Sequence, residues 1–241
     1  MNMQDENGRS YDATKPVGVC HGAAEGPSMN RRVLLWVAAV SATLMLVGLG
    51  GVDRWLAGWI RSSGIEQSRV FVHGLVAFDT VFGIGLWIWL AGSLALAIGC
   101  IGFVWRRESR WPRALITASL VQFASLCTMI VGKNHFGRLR PHEVLASGDW
   151  SHVWYAGGSS FPSGHAAFYC GLLVPLAAAC PIRWLRALLL AIPLFVVIAR
   201  MDLAKHFLSD VSSSALFVAL YALLAASLMR HWLPSPEPVR R

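Results

Sequence analysis

The stretch RRVLLWVAAVSATLMLVGLGG, residues 31–51, places nineteen residues without a charge directly after two arginines. A helix needs about 20 mostly apolar residues to cross a bilayer, and lysine and arginine are in excess on the cytoplasmic side. The stretch therefore predicts a membrane-spanning helix over Val33–Gly51. It indicates that the chain is a membrane protein.

Five further apolar runs follow along the chain. We predict spans at Val81–Val104, Ala114–Gly132, His165–Cys180, Leu185–Ala199 and Val211–Met229. The run that holds the second of the six spans begins at Val70 and is too long for one span, so we expect its first part to be re-entrant or protruding. Hydrophobic residues make up 55% of the chain and charged residues 14%, which leaves too little polar surface for a soluble domain.

This pattern predicts the fold class, which is all-α: a polytopic membrane protein with a bundle of six transmembrane helices. We expect one membrane domain over residues 30–230, with disordered cytoplasmic tails at 1–29 and 231–241. The first tail lacks the basic start and apolar core of a secretion signal.

The net charge of +8 admits three interpretations: nucleic-acid binding, the positive-inside bias of a membrane protein, and an anionic substrate. Nucleic-acid binding is disfavoured because the basic residues stand in short groups between apolar runs. With six spans, most basic residues fall on the side of the two tails, which places both termini in the cytoplasm. The opposite side holds the remaining basic residues, which are Arg54, Arg61, Arg69, Lys133, Arg138, Arg140, Arg200 and Lys205.

Three polar segments occur at the predicted outer ends of spans. They are KNHFGRLRP at 133–141, FPSGH at 161–165, and the set Arg200, His206 and Asp210. Lys133, Arg140 and Arg200 supply cations suited to phosphate oxygens. Ser163 and Gly164 precede an apolar run, so the N–H groups of a helix N-terminus and the serine hydroxyl are expected to bind the same anion.

The two histidines complete a set of groups for phosphoryl transfer. His206 and Asp210 are four residues apart, so they share a face of a helix that begins by His206. The carboxylate then accepts a hydrogen bond from one ring nitrogen and leaves the other free to attack phosphorus. His165 is expected on the other side of the anion, where it protonates the leaving alkoxide.

Each segment also has a purely structural interpretation. Lys133 and Arg138 are candidates for snorkelling to the interface, and Asp210 for a helix N-cap. The Pro-Ser-Gly sequence at 162–164 is equally a helix-starting turn. The occurrence of all three segments on the same predicted side favours one phosphate site over three separate explanations.

In order and spacing, the segments resemble the type 2 phosphatidic acid phosphatase family. The family pattern is Lys, six residues, Arg-Pro; then Pro-Ser-Gly-His; then Ser-Arg, five residues, His, three residues, Asp, and residues 133–210 match it apart from Ala199, which stands where the family usually has serine. That departure is expected to remove one hydrogen bond to phosphate.

The resemblance implies a six-helix bundle with its active site facing the outer leaflet and with no metal or other cofactor. It also implies a role for each motif residue in this sequence. These roles are phosphate binding by Lys133, Arg140, Arg200, Ser163 and Gly164, acid catalysis by His165, nucleophilic attack by His206, and orientation of that histidine by Asp210.

We therefore expect a lipid phosphatase in a bacterial inner membrane, with its site facing the periplasm and with the bilayer and a phosphorylated lipid as partners. General resemblance to compact lipid A phosphatases favours lipid A over polyprenyl pyrophosphate, phosphatidylglycerol phosphate and phosphatidic acid, although the motifs themselves do not select it. Arg138 and His142 are further candidates for head-group contacts. The motifs carry no information on oligomeric state.

Two other functions stay open. A phosphotransferase would use the same site to pass phosphate to a second lipid. A non-enzymatic anion transporter would use the same cations, but it needs charges along a path through the bilayer, and the predicted spans hold almost none away from their outer ends.

Overall fold

The computed structural model describes residues 3–4, 10–11, 29–106 and 109–232. The tails predicted at 1–29 and 231–241 therefore fall largely outside the described residues. Within the first of them, β1, Met3–Gln4, pairs antiparallel with β2, Ser10–Tyr11. This strand pair belongs to one compact unit and residues 27–234 to a second, which holds all the helices described below.

The second unit is helical, as the pattern of apolar runs predicts. Its helices are α1 Arg31–Val47, α2 Asp53–Ser62, α3 Arg69–Phe82, α4 Leu90–Trp105, α5 Arg110–Phe136, α6 Pro141–Ser147, α7 Gly164–Ala179, α8 Arg183–Asp202 and α9 Leu208–Trp232. A π-helical turn, Gly48–Val52, joins α1 to α2. Within it Gly51 has a φ of 127°, a value that residues with a side chain rarely adopt.

Among the described residues, four helical segments are long and apolar enough to cross a bilayer. They are Arg31–Ser62, Arg110–Ser147, Arg183–Asp202 and Leu208–Leu228. Helices α4 and α7 are also apolar but shorter, at 16 residues each. The membrane-protein prediction is thus confirmed in its coarse form, whereas the number of six spans stays a prediction.

The predicted second span, Val81–Val104, is wrong at its start. Helix α3 ends at Phe82, and α4 begins only at Leu90. Gly83 terminates α3 in the left-handed conformation, with a φ of 68°. Hydropathy does not mark this stop, because the residues on both sides of it are equally apolar. Helix α3 is consequently a separate element, and it brings Asp79 to the site described below.

Helix α7 lies at the centre of the bundle, with most of its residues buried. Helix α5 approaches it closely at Gly171, where a Cβ atom would lie 2.7 Å from the Oγ of Ser125. The Ser125 hydroxyl donates to the carbonyl of Ala167 at 3.0 Å. Further along the same contact, a Cβ atom on Gly132 would lie 2.5 Å from the Pro162 side chain. The two helices are therefore antiparallel, and the end of α5 lies beside the start of α7.

A buried guanidinium joins the start of α2 to the start of α9. Arg138 is only 4% exposed, and its Nη1 donates to Asp210 Oδ1 at 2.5 Å and to Ser209 Oγ at 2.6 Å. Its Nη2 donates to Asp53 Oδ2 at 2.8 Å. Asp53 also accepts hydrogen bonds from the backbone N–H and the hydroxyl of Ser209. One cation thus holds two buried carboxylates that lie 157 positions apart in the chain.

The head-group contact predicted for Arg138 is wrong. The guanidinium lies between the ring of Trp154, 4.4 Å from its centroid, and the ring of Phe207, at 4.2 Å. These rings cover both faces of the cation, and carboxylates occupy its edge. A cation enclosed in this way stabilises the buried carboxylates and has no free face for a lipid head group.

We expect Arg138→Met to destabilise the protein strongly, because the change leaves two buried carboxylates without a counter-charge. The loss of unfolding free energy is about 3–5 kcal/mol, the usual cost of removing one partner of a buried ion pair. Thermal unfolding of the detergent-solubilised protein measures it.

The matched control is Arg61→Met. Arg61 is half-exposed and lies 3.7 Å from Glu66, and an ion pair of this kind contributes about 0–1 kcal/mol. Equal melting temperatures for the two variants would show that the Arg138 cluster is not a stabilising element.

Candidate active site

Three predicted phosphate-binding cations meet at one end of the bundle. Lys133 lies in the last turn of α5, Arg140 precedes α6, and Arg200 lies in the last turn of α8. Each is partly buried. Lys133 feels the positive charges of both arginines, and Arg200 feels that of Arg140. The antiparallel packing of α5 on α7 and the return of α8 to the same end produce this convergence.

In the described part of the chain, none of the three cations has a carboxylate within ion-pair distance. Arg140 donates to the Oγ of Ser159 at 3.0 Å, but its Nε, like the Nε of Arg200, is buried without a hydrogen-bond partner among the described residues. Within residues 29–106 and 109–232, neither Lys133 nor Arg200 forms an ion pair with a carboxylate. Three like charges held this close are stabilised by an anion that accepts from their unused donors.

The N-terminus of α7 completes the lining. Ser163 is the N-cap of α7, is fully buried, and accepts a bond from the N–H of Ala166 at 3.5 Å. A Cβ atom on Gly164 would lie 3.9 Å from the Nζ of Lys133. The first peptide groups of α7 therefore lie against the lysine ammonium. Unpaired N–H groups and the positive end of the helix dipole favour an anion at this point.

His206 lies beside this lining, although not on a helix as predicted. Helix α9 begins at Leu208, so His206 is in the preceding turn and does not share a helix face with Asp210. The Nδ1 atom of His206 is 2.8 Å from the carbonyl oxygen of Ser160 and 3.8 Å from Oδ2 of Asp210. The hydrogen bond predicted from the His206 ring to the Asp210 carboxylate is thus donated to the Ser160 carbonyl instead.

This hydrogen bond determines which ring nitrogen carries the proton. A carbonyl oxygen only accepts, so Nδ1 of His206 donates to Ser160, and Nε2 keeps its lone pair. Burial lowers the pKa of His206 to about 4, an effect that the Asp210 carboxylate opposes and that Arg200 and Lys133 reinforce. The ring is therefore neutral at neutral pH, with one nitrogen available as a nucleophile.

Asp210 positions His206 through its neighbours. Its Oδ2 accepts from the Ser160 hydroxyl at 2.5 Å and from the N–H of Phe207 at 2.8 Å. The carboxylate therefore holds both the residue whose carbonyl binds the imidazole and the turn that carries the imidazole. Its other oxygen is occupied by Arg138.

The second histidine, His165, is paired with a residue that motif reasoning did not select. Its Nε2 lies 3.2 Å from Oδ2 of Asp79 on α3. Oδ1 of the same carboxylate accepts a hydrogen bond from the Tyr169 hydroxyl at 2.8 Å. Burial raises the pKa of Asp79, but the bonds from His165 and Tyr169 outweigh it, and the net pKa lies below its usual value. The carboxylate is thus ionised at neutral pH.

The sequence offers one signal for Asp79, which is its position as an acid within an apolar helix. A charge is energetically costly there, so it indicates a functional role.

His142 and Ala199 are the two remaining positions singled out from the sequence. His142 is partly buried, and its Nδ1 lies 2.9 Å from the carbonyl of Ala204. A head-group contact for this residue stays a prediction. Ala199 is fully buried next to Arg200.

No group of three or more His, Cys, Asp or Glu side chains in the described part of the chain is arranged to hold a metal ion.

Comparison with known proteins bears on the same region. Residues 114–233, about half of the chain, match the model of the PAP2 superfamily. The match covers all three motifs, and Asp53 and Asp79 lie before it. Neither a curated protein nor a solved structure matches the chain at a significant level. Because the family model matches the segments that supply the cations, the capped helix start and both histidines, we conclude that the chain belongs to the PAP2 superfamily, whose members are generally phosphatases.

Proposed function

We propose that the protein is a membrane phosphatase that hydrolyses a phosphate ester or terminal pyrophosphate of a lipid, with His206 as its nucleophile. One observation carries the proposal. A buried, neutral His206 with a free Nε2 lies beside three cations, none of which forms an ion pair with a carboxylate among the described residues. This combination supplies an anion site and an attacking group at the same place.

In the first step, Nε2 of His206 attacks phosphorus and the bond from phosphorus to the leaving oxygen breaks. The electron pair of that bond goes to the oxygen, which takes a proton from His165. The product is a phosphohistidine. Its Nδ1 proton stays bonded to the Ser160 carbonyl, 2.8 Å away, and this bond stabilises the positive charge that the ring gains. Lys133, Arg140 and Arg200 neutralise charge on the non-reacting oxygens.

In the second step, water attacks the phosphohistidine. His165, now neutral, accepts a proton from the water, and the bond from phosphorus to Nε2 breaks. Inorganic phosphate leaves, His206 returns to its neutral form, and His165 is again protonated. The same two histidines therefore complete the cycle with no net change in the protein.

A lipid is the substrate class that the surroundings favour. The site lies at the ends of α5, α7 and α8, and α5 and α8 each belong to a segment long and apolar enough to cross a bilayer. A head group at the membrane surface reaches this position while its tails stay in the bilayer. We propose six spans, both termini in the cytoplasm, and a site facing the periplasm of a bacterial inner membrane. Lipid A heads the candidate substrates.

The direct test is phosphate release by purified protein in detergent. Lipid A, polyprenyl pyrophosphate, phosphatidylglycerol phosphate and phosphatidic acid form the substrate panel. We expect release from at least one lipid, and a loss of about 10³-fold or more in kcat/KM for His206→Ala, because the nucleophile is removed.

The control for that variant is His73→Ala, which changes an exposed histidine on α3. Equal release by His206→Ala and the unsubstituted protein would contradict the assignment of the nucleophile. Labelled phosphate that appears in an added acceptor lipid, and not in water, would identify a phosphotransferase instead.

A second variant tests the anion site without changing any charge. Gly164→Ala adds a Cβ atom whose nearest neighbours, in Met129, lie at an ordinary contact distance of 3.6 Å, so the fold accommodates it. The methyl group stands 3.9 Å from the Nζ of Lys133, where the phosphate is placed. We expect kcat/KM to fall about tenfold or more with an unchanged melting temperature.

Gly58→Ala is the matched control, because a Cβ atom there meets nothing within 4 Å. Unchanged kinetics for Gly164→Ala would remove the α7 N-terminus from the proposed phosphate site.

A further inference from the structure

We propose that Asp79 is a positioning residue for His165, holding it in the orientation and charge state in which it protonates the leaving oxygen. This inference rests on the proposed function. It concerns an aspartate outside the matched family region, which begins at residue 114. The geometry that carries it is the pairing of Asp79 Oδ2 with His165 Nε2 at 3.2 Å.

The position of Asp79 is determined by packing on two sides. Helix α3 packs on α8 through Phe78, whose ring lies 5.6 Å from that of Phe195, and through Gly74, where a Cβ atom would lie 2.5 Å from the same ring. The start of α3 is tied to the end of α8 by the bond from Ser68 N–H to Asp202 at 2.9 Å. The carboxylate is therefore held in place, and its contact with His165 does not depend on a loop.

Each oxygen of the carboxylate has its own partner on α7. His165 and Tyr169 are four residues apart, so they lie on the same face of the helix. The Tyr169 hydroxyl donates to Oδ1 at 2.8 Å, which leaves Oδ2 for the imidazole. Because both carboxylate oxygens are bound, the position of Oδ2 fixes the orientation of the imidazole ring of His165. With Nε2 bound to Asp79, Nδ1 is the atom left to face the leaving oxygen.

The charges around His165 explain why a carboxylate is needed. Arg200 from α8 and Lys133 from α5 both act on the ring with positive charge, and Asp79 from α3 acts with negative charge. Two cations and partial burial disfavour the imidazolium form, yet a general acid must hold a proton before bond cleavage. Asp79 is the group that opposes these effects, although it does not cancel them. Helix α3 therefore supplies a negative charge that acts on both the acid and Arg200.

The proton balance follows from this arrangement. When the bond from phosphorus to oxygen breaks, the electron pair goes to the leaving oxygen, and the proton on Nδ1 of His165 moves to it. Asp79 stays ionised throughout and keeps its bond to Nε2. In the hydrolysis step Nδ1 takes one proton from the attacking water.

The test compares how much Asp79→Asn lowers kcat/KM for two substrates that differ in their leaving group. An alkoxide must be protonated as it leaves, whereas a nitrophenolate leaves without a proton. We expect Asp79→Asn to lower kcat/KM for dodecyl phosphate by about tenfold or more, which is part of the roughly 10²–10⁴-fold that a general acid contributes. For p-nitrophenyl phosphate we expect little change. The high-pH limb of the dodecyl phosphate profile should also move to lower pH.

The p-nitrophenyl phosphate rate shows that the variant is folded, and His73→Ala on the same helix should change neither rate. Equal losses on both substrates, or no loss on either, would overturn the role of Asp79 while the phosphatase function stands. Absence of hydrolysis of both substrates by the unsubstituted protein would instead contradict the proposed function itself.

Discussion

The ion cluster of Arg138 with Asp53 and Asp210 is the interaction on which the site depends. A buried carboxylate is costly unless it is paired, and here one guanidinium pairs two of them. Pairing requires the start of α2, the segment after α5 and the start of α9 to meet. Arg138 binds one oxygen of Asp210. The other oxygen accepts hydrogen bonds from Ser160 and from the turn that carries His206.

The two histidines differ in what accepts their ring N–H, and this difference assigns their proposed roles. His206 donates to a neutral carbonyl, that of Ser160, so its ring is neutral and keeps a free lone pair. His165 pairs with a carboxylate, that of Asp79, which favours the charged ring that an acid requires. Two identical side chains that both feel the charges of Arg200 and Lys133 can therefore serve as nucleophile and acid.

The sequence predicts the helical membrane class and the convergence of the three motifs, because apolar runs and motif spacing are local properties. It does not predict contacts between distant residues. The role of Arg138 depends on Asp53, 85 positions earlier, and the acceptor for His206 is a backbone carbonyl, which has no residue signature. The end of α3 at Gly83 is missed because hydropathy is the same on both sides, and the pairing of Asp79 with His165 is missed because it joins residues 86 positions apart.

A trapped phosphoenzyme would show directly whether His206 is the nucleophile. The protein is mixed with labelled lipid substrate, quenched in alkali within a single turnover, digested and analysed by mass spectrometry. We expect one phosphate on the peptide that contains His206, stable in alkali and lost in acid as a phosphohistidine is, and absent from His206→Ala. Label on a different residue, or product released with no labelled protein at any time, would contradict it.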